Sequence, residues 1–314
     1  MKKMKGLFIV NPSSGTQIHQ NTIHEAVRDL LDNGTLAEAR FVYTQRKDHA
    51  LETARDVEPG EYDFIMAVGG DGTVNEVVNG IALGGHDTPL AILKAGTTND
   101  FATVMGLPVD TTGIVRMIRE FHTEKIDLGK INEKYFINVA AGGILSEIAH
   151  SVPSERKTVL GEAAYYIEGV KRIGEMRLDT VPLRFEADGF SLETETFLVI
   201  VANSRSVGGF ANIAPKAYVN DGLLDVCIIK SLRPVDLVPV FSQIVTGTHT
   251  NNKCISYFQT KSLKISPLSD HKNFIVDYDG EAGGKMPAEI SVVPDGLKLV
   301  IPGDSEKAKK LLKK

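Results

Sequence analysis

Over roughly the first 125 residues, short apolar runs alternate with stretches in which apolar side chains recur every three or four positions. The runs Gly6–Val10, Ala39–Tyr43, Asp63–Val68 and Leu90–Leu93 predict buried strands, and Ile18–Leu31, His49–Asp56 and Thr73–Leu83 predict the helices between them. This alternation predicts a parallel sheet with helices on both faces. In such a sheet ligands bind beyond the carboxyl ends of the strands. Four loops fall there: Asn11-Pro12-Ser13-Ser14-Gly15, Thr44, Gly69–Thr73 and Ala95-Gly96-Thr97-Thr98-Asn99-Asp100. All are rich in Gly, Ser, Thr, Asn or Asp.

From about Ile126 strand-like runs dominate, at Lys125–Ile131, Tyr135–Ala140, Val181–Ala187, Glu195–Ala202, Leu224–Lys230, Ser262–Ser266, Phe274–Tyr278, Ala288–Val293 and Leu297–Ile301. Helical patterns interrupt them near Gly161–Gly174 and Pro234–Val245. Many short strands with turn signals between them predict an antiparallel sandwich or barrel-like second domain. The helical texture stops at Glu124–Asp127.

Composition narrows the function classes. The 314 residues are 42% hydrophobic and 24% charged, the make-up of a globular chain long enough for two domains. A net charge of -5 without a basic arm argues against nucleic-acid binding. Cys227 and Cys254 have neither metal spacing nor a disulfide framework, so a reducing cytoplasm is expected. The apolar run Leu7–Val10 after Met1-Lys2-Lys3-Met4-Lys5 is too short for a signal peptide, and no run reaches the roughly 18 apolar residues of a membrane span. Any membrane contact is therefore expected to be peripheral. The tail Lys307–Lys314, with five lysines among a few apolar residues, reads as a frayed, solvated terminus rather than an anchor on an anionic lipid surface.

The chemistry concentrates in three places. Gly69-Gly70-Asp71-Gly72-Thr73 stands between a strand and a helix. Glycines there reach φ > 0 and carry no Cβ, so a polyanion can approach the backbone N–H groups closely, while the helix dipole faces it. Asp71 would repel a bare phosphate, which implies a magnesium ion or its water shell between them; a tight βα turn is the alternative. Asn220-Asp221-Gly222-Leu223-Leu224-Asp225 suits a hard cation held by one carboxylate and backbone carbonyls, or else is a plain Asp-Gly turn. In Tyr278-Asp279-Gly280-Glu281 the carboxylates stand two apart, so an extended segment points both to one side, as a base and its partner or as two metal-directed groups; the alternative is again a hairpin.

Asn11-Pro12-x-Ser14-Gly15, Gly69-Gly70-Asp71-Gly72-Thr73-x-Asn75-Glu76, Gly96-Thr97-x-Asn99-Asp100-Phe101-Ala102, Ala214-Pro215-x-Ala217-x-x-x-Asp221-Gly222-x-Leu224-Asp225 and Asp279-Gly280-Glu281 together resemble the bacterial soluble diacylglycerol kinases and their lipid-kinase relatives. The resemblance spans nearly the whole chain. It implies an α/β nucleotide domain, Rossmann-like and three-layered, over residues 1–125 with returning strands at about 290–303, and a β-sandwich lipid-substrate domain over 126–289. It implies ATP and magnesium as cofactors. The ATP-contacting positions it matches are Asn11, Pro12, Ser13, Ser14, Gly15, Thr44, Gly69, Gly70, Asp71, Gly72, Thr73, Val74, Asn75, Glu76 and Thr97. Asp71 matches a carboxylate of the magnesium and water network, and Asp100 and Asp127 match acidic residues of the same site. Asp221, with the carbonyls of Tyr218 and Leu223, matches a structural magnesium site, and Asp279 and Glu281 match the catalytic pair that takes the proton from the lipid hydroxyl.

The implied enzyme is an ATP-dependent lipid kinase of the cytoplasm, peripherally membrane-associated, making a phosphorylated lipid such as phosphatidic acid for phospholipid synthesis. A homodimer is left open. The chain departs from the family at Lys94, usually Pro, and at Thr98, often Gly. Lys94 reads as a solvated side chain, and Thr98 leaves the path of its loop undefined. Two other classes compete. A soluble-substrate kinase of the NAD kinase type would share the glycine loop, and a non-catalytic nucleotide-binding module would lack Asp279 and Glu281, which this chain retains. Gly-x-x-x-x-Gly-Lys-Ser/Thr is absent, so the phosphate cradle is not a P-loop.

Overall fold

The computed structural model describes residues 3–14, 17–95, 99–143, 180–207, 212–269 and 274–313. The helix expected near Gly161–Gly174 lies outside them. The chain forms two units, one of residues 1–138, 218–222 and 293–314, the other of 139–217 and 223–292.

The first unit is a three-layer α/β/α fold. Strands β1 (Met4–Val10), β2 (Leu36–Tyr43), β3 (Phe64–Gly69) and β4 (Leu90–Lys94) pair in parallel in the order β4-β3-β1-β2. Leu299, late in β15 (Ala288–Ile301), adds a parallel partner at Leu90 of β4. Because side chains alternate across a strand, each run feeds two cores. Leu7, Ile9, Ile65, Ala67 and Ile92 pack under α2 (His49–Arg55), α3 (Asp71–Gly84) and α4 (Asp100–Met105). Phe8, Val10, Phe64, Met66, Val68 and Leu93 pack under α1 (Gln17–Asp32) and α5 (Thr111–Glu120). β5 (His122–Ile131) and β6 (Lys134–Phe136) form an antiparallel hairpin that also belongs to this unit.

The second unit is antiparallel. β7 (Val139–Gly143), β8 (Val181–Ala187), β9 (Phe190–Ala202), β10 (Leu224–Lys230), β11 (Ile255–Thr260), β12 (Ser262–Pro267), β13 (Ile275–Tyr278) and β14 (Glu281–Lys285) pair only in that sense. β9 pairs with β8 through its first half and with β7 and β10 through its second. The helix α6 (Pro234–Thr246) buries Leu237, Val240 and Ile244 against that core, and Pro at its first position needs no N–H there.

Three expectations change. Ala288–Val293 and Leu297–Ile301, expected as two strands, form the single strand β15. Tyr135–Ala140 is two strands, because Ile137 and Asn138 bend between β6 and β7. The C-terminal tail is not frayed: α7 (Glu306–Leu311) starts at Ser305, whose hydroxyl accepts the Ala308 N–H, and buries Ala308 and Leu311 in the first unit's core. Its Leu311 carbonyl accepts the Val219 N–H at 2.9 Å. Leu311→Ala should therefore lower the free energy of unfolding by about 2–4 kcal/mol in urea titrations. An unchanged midpoint would return the tail to solvent.

Candidate functional site

The order β4-β3-β1-β2 reverses direction between β1 and β3, so the loops leaving these two strands part and open a crevice at their carboxyl ends. Backbone bonds carry the loops in step along that edge. Asn11 N–H donates to Val68 O, Thr44 N–H to Val10 O and Ala95 N–H to Gly69 O. Asn11 closes the crevice's floor, its Nδ2 donating to Thr73 Oγ1 at 3.1 Å and its Oδ1 accepting the Ser13 N–H at 2.9 Å. Pro12 and Ser13 are exposed; Ser14 and Thr44 are half-buried. Gly15 and Thr97 lie outside the described residues.

Of the two properties expected of the glycine loop, the absent Cβ is used and the positive φ is not. Gly69, Gly70 and Gly72 are absent from the positive-φ positions, and Gly70 is extended with φ -85° and ψ -171°. The requirement is for a missing Cβ. A methyl at Gly69 would stand 2.6 Å from Thr73 Cβ, whereas one at Gly70 would meet nothing within 4 Å. Gly69 is thus small for the fold, and Gly70 opens backbone to the crevice. Asp71 begins α3, with Gly70 as its N-cap, so its charge lies at the positive end of the helix.

The rest of the motif supports the loop from behind. Val74 is buried in the core. Asn75 Nδ2 donates to Tyr135 O at 3.2 Å, beside Asn79, which binds both the N–H and the carbonyl of Tyr135. Glu76 accepts the backbone N–H groups of Asp48 and Ala50, both at 3.0 Å, and so closes the start of α2. A cavity of about 240 Å³ in this unit is lined by Asn11, Ser13, Thr44, Thr73 and Glu76 together with Gln45, Arg46 and Lys47. These last three were missed from the sequence, although the basic pair Arg46-Lys47, three residues past the second strand, was the available signal. Arg46 forks onto Glu52, its Nη1 and Nη2 donating to Oε1 and Oε2. Lys94 Nζ donates to Thr103 Oγ1 at 3.0 Å, and Asp100, half-buried, opens α4. Asn99 caps that helix, its Oδ1 accepting the Ala102 N–H at 3.0 Å.

Asp127 is a framework residue. Its buried carboxylate accepts the Gly222 N–H at 2.6 Å through Oδ2 and the Asp295 N–H at 3.0 Å through Oδ1. Its own N–H donates to Val219 O at 2.7 Å. Gly222 and Asp295 are both left-handed, with φ 71° and 55°, so one side chain pins two turns. Burial raises the Asp127 pKa above the ordinary 3.8, against the pull of the two N–H donors.

Tyr218 and Asp221 flank this pinned turn in the first unit, and Leu223 begins the return to the second. The Asp221 carboxylate and main-chain carbonyls are hard oxygen donors, the kind that would suit magnesium or calcium. Among the described residues no group of three or more His, Cys, Asp and Glu converges. Asp225 is otherwise engaged, accepting the Tyr257 hydroxyl and Gln259 Nε2. Burial, and next the Asp225 charge, push the Tyr257 phenol up from its ordinary value.

The Asp-Gly-Glu segment corrects the reading of an extended strand with two carboxylates on one side. Asp279 and Gly280, with φ 46° and 86°, are the two left-handed residues of a hairpin turn, and Tyr278 pairs with Glu281 across it. Asp279 is fastened to β7, its Oδ1 accepting the Val139 N–H and its N–H donating to Val139 O, both at 2.9 Å. Glu281 opens β14.

Comparison with known proteins places these features. The Diacylglycerol kinase catalytic domain family matches residues 5–131, and the YegS C-terminal NAD kinase beta sandwich-like domain family matches residues 138–301. A Staphylococcus epidermidis protein named diacylglycerol kinase is 34% identical over 302 residues, 96% of this chain and 93% of that one. A Staphylococcus aureus namesake is also 34% identical, covering 96% and 94%. The crystal structure of a diacylglycerol kinase from Bacillus anthracis superposes with a TM-score of 0.74 at 25% identity, over 96% of this chain and 98% of that one. Yeast NADH kinase, at 12% identity and a TM-score of 0.54, covering 99% and 86%, shares the fold alone.

Two outcomes test the geometry. Gly69→Ala should cost about 1–3 kcal/mol by crowding Thr73, while Gly70→Thr should shift stability by under about 0.5 kcal/mol, since Thr caps as well as Gly. Equal melting of the two variants would remove the distinction. Because its folded pKa is raised, Asp127 adds most stability below its ordinary 3.8 and loses that contribution as pH climbs through the raised value. Asp127→Asn should abolish that slope in urea titrations across acidic pH, and cost about 1–3 kcal/mol because one oxygen is left for two N–H donors.

Proposed function

The chain belongs to the diacylglycerol kinase family of lipid kinases, and on that premise we propose that it transfers the γ-phosphoryl group of ATP to the free hydroxyl of diacylglycerol or a close relative, yielding phosphatidic acid or its analogue. The observation that carries the nucleotide half is the crevice between β1 and β3, where the Gly70 backbone is open and Asn11 fixes Thr73 below it. The phosphates lie on the N–H groups at the start of α3, with Asn11 to Ser14 and Thr44 around them. Asn75 and Val74 shape the loop from behind, while Glu76 both closes the start of α2 and lines the cavity.

Magnesium, when bound, offsets charge on the phosphates. Asp71 would hold it at the nucleotide, and Asp221 with the Tyr218 and Leu223 carbonyls would hold a second ion for structure. The lipid hydroxyl is a poor nucleophile at neutral pH and needs a carboxylate to orient it and accept its proton. Asp279 and Glu281 supply that unit. The two bonds from Asp279 to Val139 fix the turn, which keeps the carboxylate from swinging away as charge develops. The lipid is reached by peripheral contact with the cytoplasmic face of a membrane.

The test is incubation of the purified chain with labelled ATP, magnesium and a panel of lipids in mixed micelles, with NAD as competing acceptor. Label should enter diacylglycerol; label on NAD alone would overturn the assignment. Gly70→Thr should lose nucleotide affinity in calorimetry although its stability holds. Of Asp279→Asn and Glu281→Gln, the one that removes the base should lower kcat about 100-fold or more with ATP affinity kept. Near wild-type turnover in both would remove the pair from the mechanism.

A further inference from the structure

The loop that follows β2 is held by a dense set of hydrogen bonds that leaves one amide over. Gln45 N–H donates to His49 Nδ1 at 3.1 Å, and the His49 N–H returns to Arg46 O at 3.3 Å. Arg46 Nη1 reaches Lys47 O at 3.3 Å as well as Glu52, and Glu76 holds the N–H groups of Asp48 and Ala50. Asp48 turns the chain into α2 in the left-handed region, with φ 63°. Gln45 enters this scheme through its main chain alone. Its exposed side chain lines the 240 Å³ cavity and forms no hydrogen bond among the described residues.

Arg46 lines the same cavity, but Glu52 already answers its charge, so it is poorly suited to clamp phosphates. What it offers is a flat guanidinium face held in one orientation, and such a face stacks on an aromatic ring. The Gln45 amide beside it carries a donor and an acceptor, the pair that matches N7 and the N6 amino group of adenine. Guanine presents two acceptors, N7 and O6, on that edge. In the order β3-β1-β2 the end of β2 stands two strand spacings from Gly69, about 10 Å. Phosphates seated on the Gly70 backbone leave that span to the ribose and bring the base to Gln45 and Arg46.

We infer that Gln45 is a specificity-determining residue that selects adenine over guanine, with the Glu52-held face of Arg46 stacked on the base. This deepens the nucleotide reading of the crevice and rests on it.

The experiment is calorimetry of the full chain with ATP, GTP and tripolyphosphate, which has no base, each with magnesium. The wild-type chain should prefer ATP to GTP by at least about tenfold. Gln45→Ala should bring the two affinities together, and Gln45→Lys should tip the ratio toward GTP, because an ammonium donates to N7 and O6. Arg46→Lys keeps the charge and loses the plane, so it should weaken both nucleotides. Tripolyphosphate should bind all three variants as it binds the wild-type chain. The Gln45 variants keep the main-chain bond to His49, and an exposed ion pair such as Arg46 with Glu52 adds little stability, so melting should be unchanged. A wild-type ATP-to-GTP ratio in Gln45→Ala overturns the inference. So does a matching loss of tripolyphosphate affinity, which would move these side chains to the phosphates. Transfer of label to lipid separates this outcome from the reaction: a base preference set by Gln45 in a chain that labels no lipid upholds the reader and removes the kinase, and lipid labelling with a ratio indifferent to Gln45 does the reverse. Failure to bind any of the three ligands overturns both.

Discussion

The first unit depends on one carboxylate receiving two backbone N–H groups. Asp127 draws on Gly222 and Asp295, residues 95 and 168 positions away, and each bond is charge-assisted. Through them the segment 218–222, which interrupts the second unit's sequence, is locked against β5. Val219 then sits fully buried, with its carbonyl on the Asp127 N–H and its N–H on Leu311. Asn220 completes the lock, its side chain bonding both the N–H and the carbonyl of Lys313. The turn that presents Asp221 is thus built from three distant stretches of chain.

A similar economy runs through the crevice between β1 and β3. Only part of the motif faces open space; the remainder holds that part still. Asn11 bridges two loops, Glu76 closes a neighbouring helix and Asn75 with Asn79 secures the β6 edge. A ligand therefore meets backbone that is already fixed, and binding does not first have to order it.

Much of this was legible in the sequence, and the gaps have physical causes. Strands β1, β3 and β4 announced themselves because each is apolar on both faces, whereas β2, at the sheet edge, showed only the run at its end. Helix α5 was missed because it opens with Thr-Thr-Gly, residues that read as loop, although Asp110 caps it by accepting the Gly113 N–H. In α7 the lysines hid the spacing of Ala308 and Leu311, the two positions that are buried. Strand β14, Glu-Ala-Gly-Gly-Lys, has no β-branched residue to betray it. Two reasons were assigned to the glycines of the loop and only the missing Cβ is used, because a left-handed glycine and one needed for space are the same letter. Asp279-Gly280 carried a hairpin signal of its own, and an even spacing of carboxylates was read over it. Asp127's partners were invisible, since no local pattern links residues so far apart.

The division of the chain has a consequence for how the protein is made. A ribosome releases residues 1–138 first, yet the unit they build also needs 218–222 and 293–314. Until the last segment emerges, β4 has no β15 beside Leu90, the Val219 N–H has no Leu311 carbonyl, and the Asp127 carboxylate has only one of its two donors. The second unit, complete by residue 292, has every segment it needs before the first one does. The half begun first is therefore the half whose segments are complete last.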